Sequence, residues 1–123
     1  MKNKIILLLS FILTLILTSC TTKTSCDQLS NQFSSYDEAI SKIKSADFKI
    51  NETANTSKSS WIKNASFFSC DSNTGYFILE TFKQEYLYSE LPYSLWKEFK
   101  SAESFGSYYN QKIKNNYIFL LSK

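Results

Sequence analysis

Three cysteines, at positions 20, 26 and 70, are the strongest nucleophiles in a 123-residue chain that has no histidine to activate any of them. A thiol reacts through its thiolate, which a neighbouring base or cation must favour. Serine lacks a triad partner for the same reason, and the commonest general base is missing. Zinc would call for histidine or C-x-x-C ligands, and neither occurs. Glu80 and Glu85 are candidates for a carboxylate pair, but nothing in the sequence sets their separation or burial; a sheet edge or a lysine partner suits Glu80 better. Asp71, Asn73 and Gly75 follow the opening spacing of a calcium loop, yet position twelve is Phe82 where a closing glutamate belongs, so the stretch reads as a turn. Two glycines leave no phosphate-cradling loop. The expectation is a protein that is not an enzyme and takes no cofactor and no metal. What remains is aromatic: Tyr86 and Tyr88 around Leu87 in "KQEYLYSELPYSLWKEF", and Tyr108 two residues before Asn110.

The first cysteine has its own context. Lys2 and Lys4 precede an apolar run from Ile5 to Leu17, interrupted by Ser10 and Thr14. Thirteen helical residues at ~1.5 Å each span roughly 20 Å, short of a bilayer's ~30 Å core. The pattern fits a secretory signal. "LTSC", Leu17 to Cys20, resembles the lipobox of bacterial lipoproteins. That resemblance implies removal of residues 1–19, acylation of the Cys20 thiol, usually also of the new amine, and lipid anchoring to a membrane of the bacterial cell envelope on its extracytoplasmic side. Each buried CH₂ adds ~0.8 kcal/mol to such an anchor. An envelope protein is then the expected partner.

Cys26 and Cys70 remain. In an oxidising compartment they can pair, pinning the segment behind the lipid to the domain. The alternative is two separate thiols, with Cys70 a small core residue. The chain holds 14 basic and 11 acidic residues; without Lys2 and Lys4 the balance is nearly neutral. Every basic residue is lysine, so the bidentate fork preferred for phosphate and guanine is absent. Nucleic acid is not an expected partner on charge.

The elements that must position these residues can be read from periodicity. Residues 20–33 are polar and aperiodic, a flexible tether. Residues 34–56 hold a helix and a connector. Ser35 and Glu38 form an S-x-x-E capping box, and Tyr36, Ala39, Ile40 and Ile43 form an apolar stripe. "FKIN" is a candidate short strand, and "ETANTSKSS" reads as a turn. "WIKNASFFSC" is a strand, and "DSNTG" a turn in which Gly75 can take positive φ. "GYFILETF" is a strong strand with both faces largely apolar, which calls for cover on each. "EYLYS" follows antiparallel. "LPYSLWKEFKSA" is a helix opened by Pro92. "SFGSYYNQKIKNNY" is a second short helix, and residues 118–123 continue as a last strand or apolar tail. The expected fold is α+β: a small antiparallel sheet of three strands, or four, packed by two C-terminal helices, with one N-terminal amphipathic helix.

Residues two apart in a strand face the same way, so Tyr86 and Tyr88 lie side by side. Paired sheet aromatics stack bases in some RNA-binding folds; a glycan- or peptidoglycan-binding module is a further alternative, resting on exposure of Trp61, Tyr76 or Tyr108. Such paired aromatics also pack small sheets against helices with hydroxyls at the rim. The aromatic helix behind a tight Leu91-Pro92 link must fold back onto this sheet, which favours packing. Asn110 sits inside a helix, where its amide is useful if it bonds backbone nearby, contacts a ligand beside Tyr108, or is simply solvated.

Strand, turn, strand, Tyr-x-Tyr, Leu-Pro, an aromatic helix and then Gly106, Tyr109, Asn110 and Ile113 in order resemble the KTSC domain over residues 57–117. That family occurs as a stand-alone bacterial protein and at the C-terminus of some lysyl-tRNA synthetases, a context that implies RNA binding. On its pattern fall Tyr86 and Tyr88, Leu91 and Pro92, Trp96 to Phe99, and Ala102 and Ser104. Departures are Lys83-Gln84 in place of a glycine at the second turn, and Lys114 where arginine is frequent. Both weaken the nucleic-acid implication.

Overall fold

A computed structural model describes residues 23–29 and 32–118. The first helix, α1 (Tyr36–Ser45), starts where its cap dictates: Ser35 Oγ accepts the Glu38 N–H at 3.1 Å. The Glu38 carboxylate reaches back one residue further than a standard capping box, accepting the Ser34 N–H at 2.7 Å, and pairs with Lys42 at 2.7 Å. Its hydrogen bonds from Lys42 and Ser34 hold the carboxyl at about 2.

Four strands follow: β1 (Ile50–Ala54), β2 (Ile62–Ser69), β3 (Thr74–Thr81) and β4 (Glu85–Pro92). They pair antiparallel in the order β1-β2-β3-β4. The fold is therefore α+β with four strands. The sequence put the first strand in "FKIN" and a turn at "ETA"; the strand instead runs Ile50–Ala54. Polar composition conceals it because β1 is an edge, and its charge is used. The Glu52 carboxylate accepts from Tyr93 Oη at 3.0 Å and Lys100 Nζ at 2.9 Å, tying the edge to the next helix.

The connection after β2 also departs from expectation. Ser72, not Gly75, takes positive φ there, at 68°. Gly75 is required for space: a Cβ at that position would lie 2.2 Å from the Phe68 carbonyl oxygen. Across from it, β4 carries an irregularity in register between its Leu91 and Tyr88 pairings, with Glu90 left-handed at φ 56°. An extra residue in one strand inverts which face later side chains meet. Leu87 thus packs on one side of the sheet and Leu91 on the other.

Both faces are covered. On one, Phe68, Ile78 and Leu87 meet Ala39, Ile40 and Ile43 of α1 and Phe33. On the other, Phe67, Phe77 and Leu79 meet Trp96 and Phe99 of α2 (Tyr93–Ser101) and Phe105 of α3 (Phe105–Tyr108). Pro92, expected at the first helical position, instead stands one residue before it, at the end of β4, and makes no side-chain cap hydrogen bond. The short α3 runs directly into a π-helical turn, Tyr109–Ile113, closed by the Lys114 N–H to Tyr109 carbonyl bond at 2.8 Å.

The segment read as a flexible tether is docked from Thr24 onward. The Asp47 N–H donates to the Thr24 carbonyl at 2.8 Å, and the Cys26 N–H to the Asp47 carbonyl at 3.0 Å. Cys26 and Cys70 form a disulfide with Cα atoms 5.9 Å apart. Phe33, at the end of the segment, is buried in the α1-side core. A covalent link and backbone bonds leave no hydrophobic period for a sequence reading to detect. Cys20, the signal segment and residues 119–123 lie outside the described residues. Among the described residues no helix is long and apolar enough to cross a membrane.

Candidate functional site

The free side of β4 forms the floor of a cleft of about 1050 Å³. Tyr36 and Ile40 of α1 wall one side, and Tyr109, Lys114 and Tyr117 the other. Tyr86 and Tyr88 project from the floor strand. Five of the chain's eight tyrosines thus line one cleft.

Among the described residues β4 is the last strand of the sheet, so its outer side has no strand partner there. The Thr81 N–H to Gln84 carbonyl bond, 2.9 Å, closes the hairpin and sets the pairing. By antiparallel alternation, Tyr86 and Tyr88 bond inward to their partners Leu79 and Phe77. Glu85 and Leu87 then turn their backbone N–H and C=O groups outward. Beyond them the Ser89 hydroxyl donates to the Ile118 carbonyl at 3.1 Å, bringing the end of the described chain to the rim.

Tyr86 and Tyr88 share a face but not an environment. Tyr86 is 36% exposed. Tyr88 is half-buried against Phe77, and its hydroxyl meets that of Tyr109 at 2.6 Å. Tyr109 itself is only 4% exposed. One phenol donates to the other, so the pair keeps a single hydrogen for anything else. Burial, then the hydrogen bond it shares with Tyr88, pushes the Tyr109 phenol far above its ordinary value; burial also raises Tyr88.

The other sequence candidates fall elsewhere. Tyr108 lies outside the cleft, its hydroxyl donating to the Glu98 carboxylate at 2.6 Å, where it clips α3 to α2. Burial, then that carboxylate, raises its phenol. Asn110 is exposed on the π-helical turn, and its amide makes no hydrogen bond to the described residues. Glu80 and Glu85 face each other across β3 and β4. Each carboxylate is tied to a lysine, Glu80 to Lys63 at 3.2 Å and Glu85 to Lys44 at 3.0 Å. Trp61 lies against Tyr109 and over Gly106, where a Cβ would meet its indole nitrogen at 2.7 Å. Tyr76 belongs to the opposite core.

Sequence reasoning did not bring Tyr36, Tyr109 or Tyr117 to Tyr86. Tyr36 was visible in an apolar stripe and Tyr109 on the family pattern, but the signal that they converge is tertiary. It requires knowing that α1 covers one face at the β4 edge and that the π-helical turn covers the other.

The family model of the KTSC domain matches residues 81–117. The matched stretch takes in β4, α2, α3 and the π-helical turn, and with them the cleft floor and one wall. No curated protein and no solved structure matches the chain.

Proposed function

We propose that this KTSC-domain protein is a lipoprotein of the bacterial envelope, anchored through Cys20, whose domain is non-catalytic and binds an extended segment of another envelope protein along the open side of β4. The tyrosine-walled cleft carries the reading. Its floor offers backbone groups of Glu85 and Leu87 that no strand among the described residues pairs, and a strand laid there gains main-chain hydrogen bonds while flanking pockets take its side chains. Phenolic walls suit such a role, presenting large apolar area with a polar tip.

Two further observations support it. The Cys26–Cys70 disulfide is typical of an oxidising compartment. It also shortens the leash: Cys26 lies six residues on from Cys20, six steps that at ~3.5 Å each reach about 20 Å. Cys70 follows the end of β2, whereas the cleft floor begins beside the β3–β4 turn at the other end of the sheet. A membrane held near the first end leaves the cleft at the second.

RNA, the role implied by the synthetase context, draws less support. Lys83 and Lys114 of the cleft are matched by Asp37 and Glu85, and counterion release needs a surplus of positive charge. A glycan is the second reading, favoured by the exposed rings of Tyr36 and Tyr86.

Photo-crosslinker placed at Tyr86 in cells should give a defined protein adduct that is absent when it is placed at the exposed Lys97. Tyr86→Ala should abolish binding of the purified adduct partner without lowering the melting temperature. Identical adducts from both positions, or a partner that binds the Tyr86→Ala protein equally well, would overturn the strand-binding reading. Retention on a purified cell-wall glycan with no protein adduct would support the glycan.

A further inference from the structure

A second cavity, of about 640 Å³, opens beside the disulfide, at the other end of the sheet from the tyrosine cleft. Its lining includes Cys26, Cys70, Asp27, Asp71 and Glu90, and among the described residues no lysine or arginine lines it. Three carboxylates with no basic partner among the described residues make the cavity attractive to cations. Asp71 spends one oxygen on the backbone N–H groups of Asn73 and Thr74, at 2.8 and 3.1 Å. Asp27 has no such use. Its Oδ1 lies 3.0 Å from Cys70 Sγ, and the donor atoms of Cys26, Asp27 and Cys70 all lie within 4.8 Å of one another.

We infer that Cys26, Asp27 and Cys70 form a redox-gated site for a thiophilic divalent cation of the zinc class. The disulfide and the metal site are alternative states of the same sulfur atoms. A dithiol reductant transfers two electrons and two protons to the disulfide, is itself oxidised to a disulfide, and leaves two thiols. The cation then displaces both thiol protons to solvent and takes two Zn–S bonds and one Zn–O bond, with water in the fourth position. Thiolate ligands at ~2.3 Å and a carboxylate at ~2.0–2.2 Å place tetrahedral donors roughly 3.5–3.8 Å apart. The three donor atoms already lie within 4.8 Å of one another, and once the sulfur–sulfur bond opens the two sulfurs, on Cα atoms 5.9 Å apart, have to separate to reach that spacing.

The surroundings set the selectivity. A hard cation such as magnesium demands several oxygen ligands in octahedral array, whereas two thiolates select zinc or cadmium. Without a cation, two thiolates beside the Asp27 carboxylate would repel it and one another. Metal relieves that repulsion and keeps the N-terminal segment fastened to β2 after the covalent link is cut. This site is independent of the tyrosine cleft and of its ligand.

The test uses the full chain in detergent micelles with Cys20→Ser, so that Cys26 and Cys70 are its only thiols. Equilibrium dialysis against zinc, with a phosphine reductant that does not itself coordinate through sulfur, should load one zinc per chain. The oxidised chain should bind at least ~100-fold more weakly, because it offers no thiolate. Asp27→Asn keeps both cysteines and the disulfide, so its oxidised form reports on folding by near-UV circular dichroism. In the reduced state it should lose at least ~10-fold in zinc affinity, a direct ligand being worth no less than an outer-shell partner. Equal zinc affinity of the oxidised and reduced chains overturns the proposal. So does an unchanged affinity in a folded Asp27→Asn variant.

Discussion

Tyr88→Phe is the sharpest probe of the cleft floor, because it removes one oxygen and leaves the ring packing on Phe77 in place. The oxygen lost is the partner of the Tyr109 hydroxyl at 2.6 Å. Tyr109 is 4% exposed, so its hydroxyl would be stranded where water cannot replace the bond. Leaving a buried polar group unsatisfied costs ~1–3 kcal/mol. The reverse change, Tyr109→Phe, strands the Tyr88 hydroxyl, which is half-buried and faces the cleft, so hydration should hold its cost to ~0.5–1.5 kcal/mol. The double variant removes both members and leaves nothing unsatisfied; its cost should fall well below the sum, a coupling of ~1 kcal/mol or more. Urea denaturation followed by the fluorescence of Trp61 and Trp96 measures all four proteins. Single changes that add to within ~0.3–0.5 kcal/mol in the double variant would refute the buried pair. The pair also sets an alkaline limit. Both phenols are raised in the folded protein, first by burial. Their contribution is therefore fully present below the ordinary tyrosine value of ~10 and fades as pH rises through the folded values.

Other expectations can be checked directly. Cys20→Ser should leave an uncut precursor that takes up no fatty-acid probe; continued labelling of that protein would remove the anchor. Ser35→Ala should cost ~0.5–2 kcal/mol by uncapping α1, measured by chemical denaturation. Because Glu38 is held at about 2, the help it gives α1 should be intact above its ordinary value and lost as pH falls from 4.5 towards 2, seen as helicity lost in acid and not in Glu38→Gln. Gly75→Ala should lower stability by at least ~1 kcal/mol, since its Cβ meets backbone rather than a movable side chain; an unaltered melting curve would mean that β3 yields there freely. Asn110→Ala, at an exposed position, should change stability by less than ~0.5 kcal/mol.

Local signals in the sequence located much of the fold. The Ser35 cap, the alternation through Phe77, Ile78 and Leu79, and the apolar spacing of α2 each depend on neighbours a few residues away. Features that depend on distant neighbours were hidden. Strand β1 is polar because it is an edge whose Glu52 serves Tyr93 and Lys100 in a helix more than forty residues on. Phe33 and the docked Thr24–Leu29 segment show no period because backbone bonds to Asp47 and a disulfide hold them. The π-helical turn after α3 looks like ordinary helix in sequence.

The cleft was half legible for the same reason. Period-two alternation correctly set Tyr86 beside Tyr88, but it assigned both rings one fate, platform or wall. The structure divides them, because burial on β4 is decided by what arrives from each side. The π-helical turn delivers Tyr109 over Tyr88 and stops there, so Tyr88 is fixed by a hydroxyl pair while Tyr86, one step nearer the hairpin, stays uncovered. Had the segment continued as regular α-helix, each residue after Tyr109 would be rotated by a fraction of a turn, because a π-turn inserts an extra residue per cycle. Tyr109 and Ile113, four residues apart, share a face in either geometry and both reach the core; the extra residue shifts where Lys114 and Tyr117 leave it for the rim. The wall that carries Tyr109 is built by a π-helical turn, a feature for which neither hydrophobic period nor cap chemistry leaves a mark.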